Sequence, residues 1–324
     1  MNENKLRIVF MGTPDCARPF LEYLAKQYNV TLVCTAPDKK RGRNMEIGES
    51  GVKKTAAKLG LKIFQPEDLK SEETLRVIKD ADPDALVIIA YGYKLNKNIL
   101  SIPKYGSINI HFSLLPDYRG ASPAAWAIVN GETKTGVTGF ILNEMIDAGG
   151  ILCQEEVNID DNDSRETLMV KLIDKGLVIL PKTLEKLVNG DKGKKQGKKD
   201  VMYARKLKKE DGLIDWSLSN VDLNNRIRAF APWPGAYTYL NGSILKFFGA
   251  SCDKGQKGET PGRVLDINKE KGMRVQCGKG AIWIQEAQFP GKNRMSAYDL
   301  FLGRKLKIGD VFKSNCQHNT NTIK

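Results

Sequence analysis

Asn109 and His111 break into an apolar run near the middle of the chain, in a segment that continues through Ser113, Pro116 and Arg119 to Gly120. An imidazole gains or gives up a proton near neutral pH, and an amide donates to developing negative charge. Residues two apart on a strand point to one face, so the Asn-x-His spacing presents both groups side by side. Asp147 is a third candidate, placed before the glycines Gly149 and Gly150 between two strand-like segments. Taken singly, His111 could be a satisfied structural histidine and Asp147 a turn former. Together the three supply what acyl transfer to an amine requires. The amide and an imidazolium stabilise a tetrahedral oxyanion, while the carboxylate sets the histidine's protonation and relays a proton.

Such groups need a scaffold. Leu6–Met11 reads as a buried strand, the Gly12 to Asp15 turn leads into an amphipathic helix through Lys26, and Val30–Thr35 reads as the next strand. Buried-strand patterns follow at Lys62–Phe64, Ala85–Ala90 and Ser107–His111, with helical patterns at Val52–Leu59 and Glu72–Lys79 between them. This alternation predicts an α/β domain with a mostly parallel sheet, whose ligands gather at the carboxyl ends of the strands. His111 closes one of those strands. A helix over Ala124–Val129, strands over Val137–Leu142 and Ile151–Val157, and a long amphipathic helix over Arg165–Val188 complete a first domain spanning residues 1–190. Residues 191–208 begin with a lysine-rich stretch that has no apolar positions, and they read as an exposed basic linker.

Beyond the linker comes a helical pattern at Asn220–Phe230 and then glycine-punctuated strand patterns at Tyr237–Leu240, Leu245–Phe248, Arg263–Ile267, Met273–Cys277 and Ala281–Glu286. These predict a smaller β-barrel of the oligonucleotide-binding type over residues 209–314. The polar residues 315–324 read as a loose tail.

The chain has 324 residues, 41% hydrophobic and 27% charged, which suffices for two buried cores. Its longest apolar stretches, such as Ala85–Ala90, fall far short of the roughly 20 residues a membrane helix needs, and the polar start does not read as a signal peptide. A cytoplasmic protein is expected. Six cysteines are scattered singly and the second histidine, His318, lies in the polar tail, so neither a disulfide framework nor a metal centre is expected. The first turn lacks G-x-G-x-x-G, which disfavours NAD, and the glycines around Gly42 lack the nucleotide-phosphate pattern. A net charge of +13 fits a polyanionic partner or simple solubility, and the placement of the charges must decide between them.

The run Asn-x-His-x-Ser-Leu-Leu-Pro-x-Tyr-Arg-Gly from Asn109 to Gly120, with the Asp-x-Gly turn at Asp147, resembles the signature of the folate-dependent formyltransferase family. Phe10 to Asp15, Lys209 to Trp216, Ile227 to Ala236 and Gly291 to Ala297 resemble the branch that acts on methionyl-tRNA, and the likeness extends from about Leu6 to Phe312. The resemblance implies a Rossmann-like formyltransferase domain followed by an oligonucleotide-binding-like barrel. It implies transfer of the formyl group of 10-formyltetrahydrofolate to the amino group of methionyl initiator tRNA, with no metal and no NAD. Asn109, His111 and Asp147 become the catalytic group, and Ser113, Leu114, Leu115 and Pro116 the loop against the folate.

In that family a basic loop inserts into the acceptor stem, which makes Lys39, Lys40, Arg41, Gly42 and Arg43 the candidates for tRNA contact. By composition alone the same loop is a solvated turn. The following stretch, Asn44 to Gly51, departs from the family pattern in carrying less lysine and proline, and Cys16 stands where an aromatic residue is usual. Arg205, Lys206, Lys208 and Lys209 extend the basic track of the linker. A monomer is expected. Two alternatives stay open: a formyltransferase for a small amine, which has no use for a basic barrel, and an RNA-binding protein that keeps the scaffold without catalysis.

Overall fold

The computed structural model of the protein describes residues 5–41, 46–197 and 201–314. The chain divides into two compact units. The first comprises Met1–Pro123, Lys134–Asn158 and Met169–Arg205, and the second Ala124–Thr133, Ile159–Leu168 and Lys206–Lys324. The basic stretch after residue 190 therefore belongs, as far as Arg205, to the first unit.

The first unit is built on seven strands: β1 (Arg7–Gly12), β2 (Asn29–Cys34), β3 (Ile63–Phe64), β4 (Ala85–Ile89), β5 (Gly106–His111), β6 (Lys134–Ile141) and β7 (Ile151–Asn158). Their order is β7-β6-β5-β4-β1-β2-β3. β1 to β5 run parallel, and the β5–β6 and β6–β7 pairs are antiparallel. The chain builds outward from β1 through β2 to β3, then returns to the other side of β1 with β4. That reversal creates a switch point, with a crevice at the carboxyl ends of the strands. β4, Ala-Leu-Val-Ile-Ile, is buried at every position, as a strand covered on both faces must be. Val9, Met11, Leu32, Leu86 and Ile88 pack with Ile78 and Tyr91 on one face. Each such aliphatic side chain contributes about 1.5–3 kcal/mol on full burial.

Polar anchors set the ends of these elements. Ser50 and Ser71 cap the helices Gly51–Lys58 and Glu72–Asp80 by accepting the N–H of Lys53 at 3.0 Å and of Thr74 at 3.2 Å. Asp84, just before β4, accepts the Arg7 backbone N–H at 2.9 Å and the Arg7 guanidinium at 3.0 and 3.1 Å, joining the starts of β1 and β4. The long helix Arg165–Val188 lies close against the sheet, because a Cβ at Gly139 on β6 would lie 2.1 Å from Thr183 Oγ1.

The second unit is an antiparallel sheet of β8 (Tyr237–Leu240), β9 (Ser243–Asp253), β10 (Val264–Asn268), β11 (Gly272–Gln276) and β12 (Ala281–Gln288), in the order β8-β9-β12-β11-β10. Its edges meet through the segment Val311–Lys313, which bridges Arg263 beside β10 and Tyr239 on β8. The ring of pairing is thereby closed around Trp216, Phe247 and Phe312, whose ring centroids lie 5.3 to 5.9 Å apart. Trp216 Nε1 donates to Thr238 Oγ1 at 3.0 Å, so the buried indole is satisfied. Among the described residues, no helix is long and apolar enough to cross a membrane.

Candidate active site

His111 ends β5, and Asn109 lies two residues before it on the same face, paired to Ile88 on one side and Phe140 on the other. The imidazole is almost fully buried. Its Nε2 lies 2.9 Å from the carbonyl oxygen of Tyr118. A carbonyl can only accept, so Nε2 carries a proton and Nδ1 is the ring nitrogen left for chemistry. Nδ1 lies 3.8 Å from Asp147 Oδ2, an ion-pair separation. Asn109 Oδ1 is buried and has no hydrogen-bond partner among the described residues. Buried polar atoms are nearly always satisfied, so this one is suited to a donor on a bound substrate.

Asp147 occupies a left-handed backbone conformation, φ 48°, which a non-glycine residue keeps only when its surroundings enforce it. The enforcing contacts are on both sides of the residue. Its Oδ2 accepts the Gly120 N–H at 2.8 Å, and its carbonyl accepts from Gln196 Nε2 at 2.9 Å. Two residues on, Gly149 has no room for a side chain, since a Cβ there would lie 1.6 Å from the Ile141 carbonyl oxygen. The Asp-x-Gly spacing is thus dictated by a close backbone approach as well as by turn preference.

The loop Ser113 to Pro116 is locked from beneath. Ser113 Oγ donates to the Asp117 carbonyl at 2.7 Å, and Thr138 Oγ1 both donates to the Ser113 carbonyl and accepts the Leu115 N–H, at 2.7 and 3.1 Å. Gln154 Nε2 holds the Leu115 carbonyl at 2.8 Å. Ser113 and Leu115 are buried, so the surface this loop offers a ligand comes from the partly exposed Leu114 and Pro116. On the same carboxyl edge of the sheet, the segments after β3 and β4 enclose a hollow of about 200 Å³ lined by Pro66, Leu69, Tyr91, Tyr93 and Lys94.

Of the basic residues, Lys39–Arg41 form a short strand paired antiparallel with Glu46–Gly48. Gly42 and Arg43 lie outside the described residues, as do Lys198 and Lys199 of the linker and the tail from residue 315. The base of this hairpin is anchored by Asp38, which takes the Lys53 ammonium and, at 3.0 Å, Gln65 Nε2.

Sequence reasoning passed over four residues that build the site: Tyr118 through its carbonyl, Gly120 through its N–H, Arg119 and Gln196. The first three stood inside the Asn109–Gly120 motif. Gln196 is the one uncharged amide in a run of lysine, glycine and aspartate, and nothing in hydropathy marked it.

Residues 6–184 match the formyl transferase family, and residues 206–305 match the formyl transferase C-terminal domain. The chain is 40% identical over 311 residues to the methionyl-tRNA formyltransferase of Caldanaerobacter subterraneus subsp. tengcongensis, covering 95% of this chain and 100% of that protein. It is also 40% identical over 311 residues to that of Clostridium acetobutylicum, with the same coverage. Among solved structures, HypX from Aquifex aeolicus in complex with tetrahydrofolic acid has a TM-score of 0.63 at 18% identity, over 92% of this chain and 47% of that one. The sugar 3N-formyl transferase WlaRD has a TM-score of 0.61 at 21% identity, over 90% of this chain and 100% of that one. With both family domains matched in order along its length, the chain belongs to the formyl transferase family.

Proposed function

We propose that this protein transfers the formyl group of 10-formyltetrahydrofolate to the amino group of methionine on initiator tRNA. The observation that carries this reading is the pair of buried His111 and partly buried Asp147, 3.8 Å apart, beside an Asn109 amide oxygen that lacks a partner among the described residues. Identity of 40% along 95% of the chain to methionyl-tRNA formyltransferases supports the choice of acceptor. The folate, when bound, supplies the formyl carbon attached to its N10. In the balanced reaction the amine nitrogen bonds to that carbon and the carbon–N10 bond breaks, one proton leaving the amine and one reaching N10.

The chain's own groups divide the remaining work. His111, fixed by Tyr118 through Nε2, donates from Nδ1–H in its imidazolium form to the formyl oxygen and stabilises the charge that gathers there. Asn109 donates from Nδ2 to the same oxygen and accepts an amine N–H at Oδ1, aiming the nitrogen lone pair at the carbon. Asp147 balances charge on the imidazole and passes the proton onward. The hairpin at Lys39–Arg41 and the net charge of +13 suit a tRNA acceptor, with the closed antiparallel sheet of the second unit against the phosphate backbone. Such an enzyme works in the cytoplasm, as a monomer with both cores in one chain.

The test is transfer of labelled formyl from 10-formyltetrahydrofolate to methionyl initiator tRNA, methionyl elongator tRNA and free methionine in parallel. Label on the initiator species alone is the expected result. No label on any of them, with folded protein, would refute the reading and direct work to small amines. Initiator-tRNA affinity should fall steeply with rising salt, whereas a flat response would also favour a small substrate.

A further inference from the structure

Gln196 uses every hydrogen-bonding capacity of its side chain. Nε2 donates to the carbonyls of Asp147 at 2.9 Å and Gly149 at 2.8 Å. Oε1 accepts from Arg119 Nε at 3.0 Å and Nη2 at 2.6 Å. An amide has two donors and two acceptor positions, so the side chain is saturated. Arg119 is 8% exposed, and its neighbour Gly120 donates the backbone N–H that holds the Asp147 carboxylate. The amide therefore ties together the two stretches of chain that grip Asp147 from opposite sides.

The backbone on either side of Gln196 is fixed as well. Ile151 and Lys194 exchange N–H···O bonds of 2.9 and 2.8 Å, and Tyr203–Ala204 pairs in parallel with Arg119–Gly120. Close approach is enforced by glycines, since a Cβ at Gly150 would lie 2.1 Å from the Lys192 carbonyl oxygen and one at Gly120 2.6 Å from that of Ala204. Residues 191–197, which have no apolar positions, are thus laid along the Asp147–Gly150 turn as a strap.

We infer that Gln196 is a positioning residue for formyl transfer: its amide holds the Asp147–Gly149 turn so that the Asp147 carboxylate stays facing His111 Nδ1. The inference rests on the proposed transferase activity. It predicts an effect on the chemical step, because displacements of about 1 Å in reacting groups cost up to about a hundredfold in rate, and little effect on substrate binding.

Single-turnover formyl transfer to methionyl initiator tRNA, with full-length protein in excess and saturating 10-formyltetrahydrofolate, is compared for wild type, Gln196→Ala and Gln196→Glu. Glutamate still accepts both Arg119 bonds but cannot donate to the two carbonyls. Both variants should lose tenfold or more in the rate constant, with KM for either substrate within about twofold of wild type, while Gln196→Glu keeps a thermal midpoint closer to wild type than Gln196→Ala. A Gln196→Glu enzyme that turns over at the wild-type rate would overturn the inference. So would a loss confined to reaction amplitude with an unchanged rate constant, which reports only a smaller folded fraction. Failure of the wild type to transfer label counts against the activity itself, and the two failures are therefore distinguishable.

Discussion

Replacing Asp147 by Asn removes a charge while keeping the shape of the side chain, including an oxygen to accept the Gly120 N–H. The Asp147 turn should therefore survive, and what is lost is the carboxylate's attraction for positive charge on His111. At the observed 3.8 Å, with an effective dielectric of about 20, Coulomb's law gives about 4 kcal/mol. The two side chains are only 7% and 13% exposed, so solvent screening is limited. If all of that attraction is felt in the transition state, the rate falls about a thousandfold. Partial development of charge reduces this, and the expected loss in Asp147→Asn is about a hundredfold to a thousandfold in the single-turnover rate constant. Folate and tRNA affinities, measured by equilibrium titration, should stay within about twofold. A variant that transfers formyl within threefold of wild type would show that the carboxylate is no more than a turn former.

His111→Ala should lower the rate constant by about 10²–10⁴-fold, the range for a positioned acid–base group, while initiator-tRNA binding in a filter or titration assay stays nearly intact. Normal turnover with lost binding would contradict the assignment. Gly150→Ala adds a Cβ 2.1 Å from the Lys192 carbonyl oxygen, at a backbone conformation alanine can adopt, so the strap must lift. Losing the two Ile151–Lys194 bonds costs about 1–3 kcal/mol, to be read as a lower denaturation midpoint; unchanged stability would mean the strap is not held there. The Arg7 guanidinium, hydrogen-bonded to Asp84, holds that carboxyl below its usual range. Folding therefore favours the ionised form, so the contribution is complete above the unfolded value of 3.8 and is lost as pH falls through the lower folded value. Asp84→Asn should be less stable than wild type at pH 7 and converge with it in acid; a constant difference across the whole pH range would refute this linkage.

The parts of the fold that hydropathy controls were open to reading from the sequence. β4 announced itself as an unbroken apolar run, and the period-two spacing of Asn109 and His111 correctly placed both on one strand face. The strand Leu245–Phe248 was read too short, since Gly249 and Ser251 break the pattern within what is an eleven-residue strand, Ser243–Asp253. Lys39–Arg41 looked like a turn, because three successive cations carry no alternation, yet they pair with Glu46–Gly48. Ser113 was expected to face the folate with the rest of its loop, but its hydroxyl donates inward to the Asp117 carbonyl four residues on, a choice that residue type alone does not record. Helix Ala297–Leu302 went unread although Ser296 and Asp299 carry a capping signal, for the helix is only six residues long. Gln196 illustrates the general limit. Its importance comes from four hydrogen bonds to backbone and guanidinium groups brought near by folding, and no periodicity records such contacts.

The two family domains matched here end at residue 184 and resume at residue 206. The strap lies in the gap between them. A recombination event, or an engineer, that exchanged second domains by cutting at residue 190 would discard Gln196, the Ile151–Lys194 pairing and the strand beside Gly120. The formyltransferase fold would be delivered whole by every measure of its sheet and helices, and yet arrive without the support of its own aspartate. The unit of inheritance for this chemistry is accordingly longer than the unit of folding that sequence comparison outlines. Hybrid transferases should retain residues through Arg205 from the same parent as the Asp147 turn.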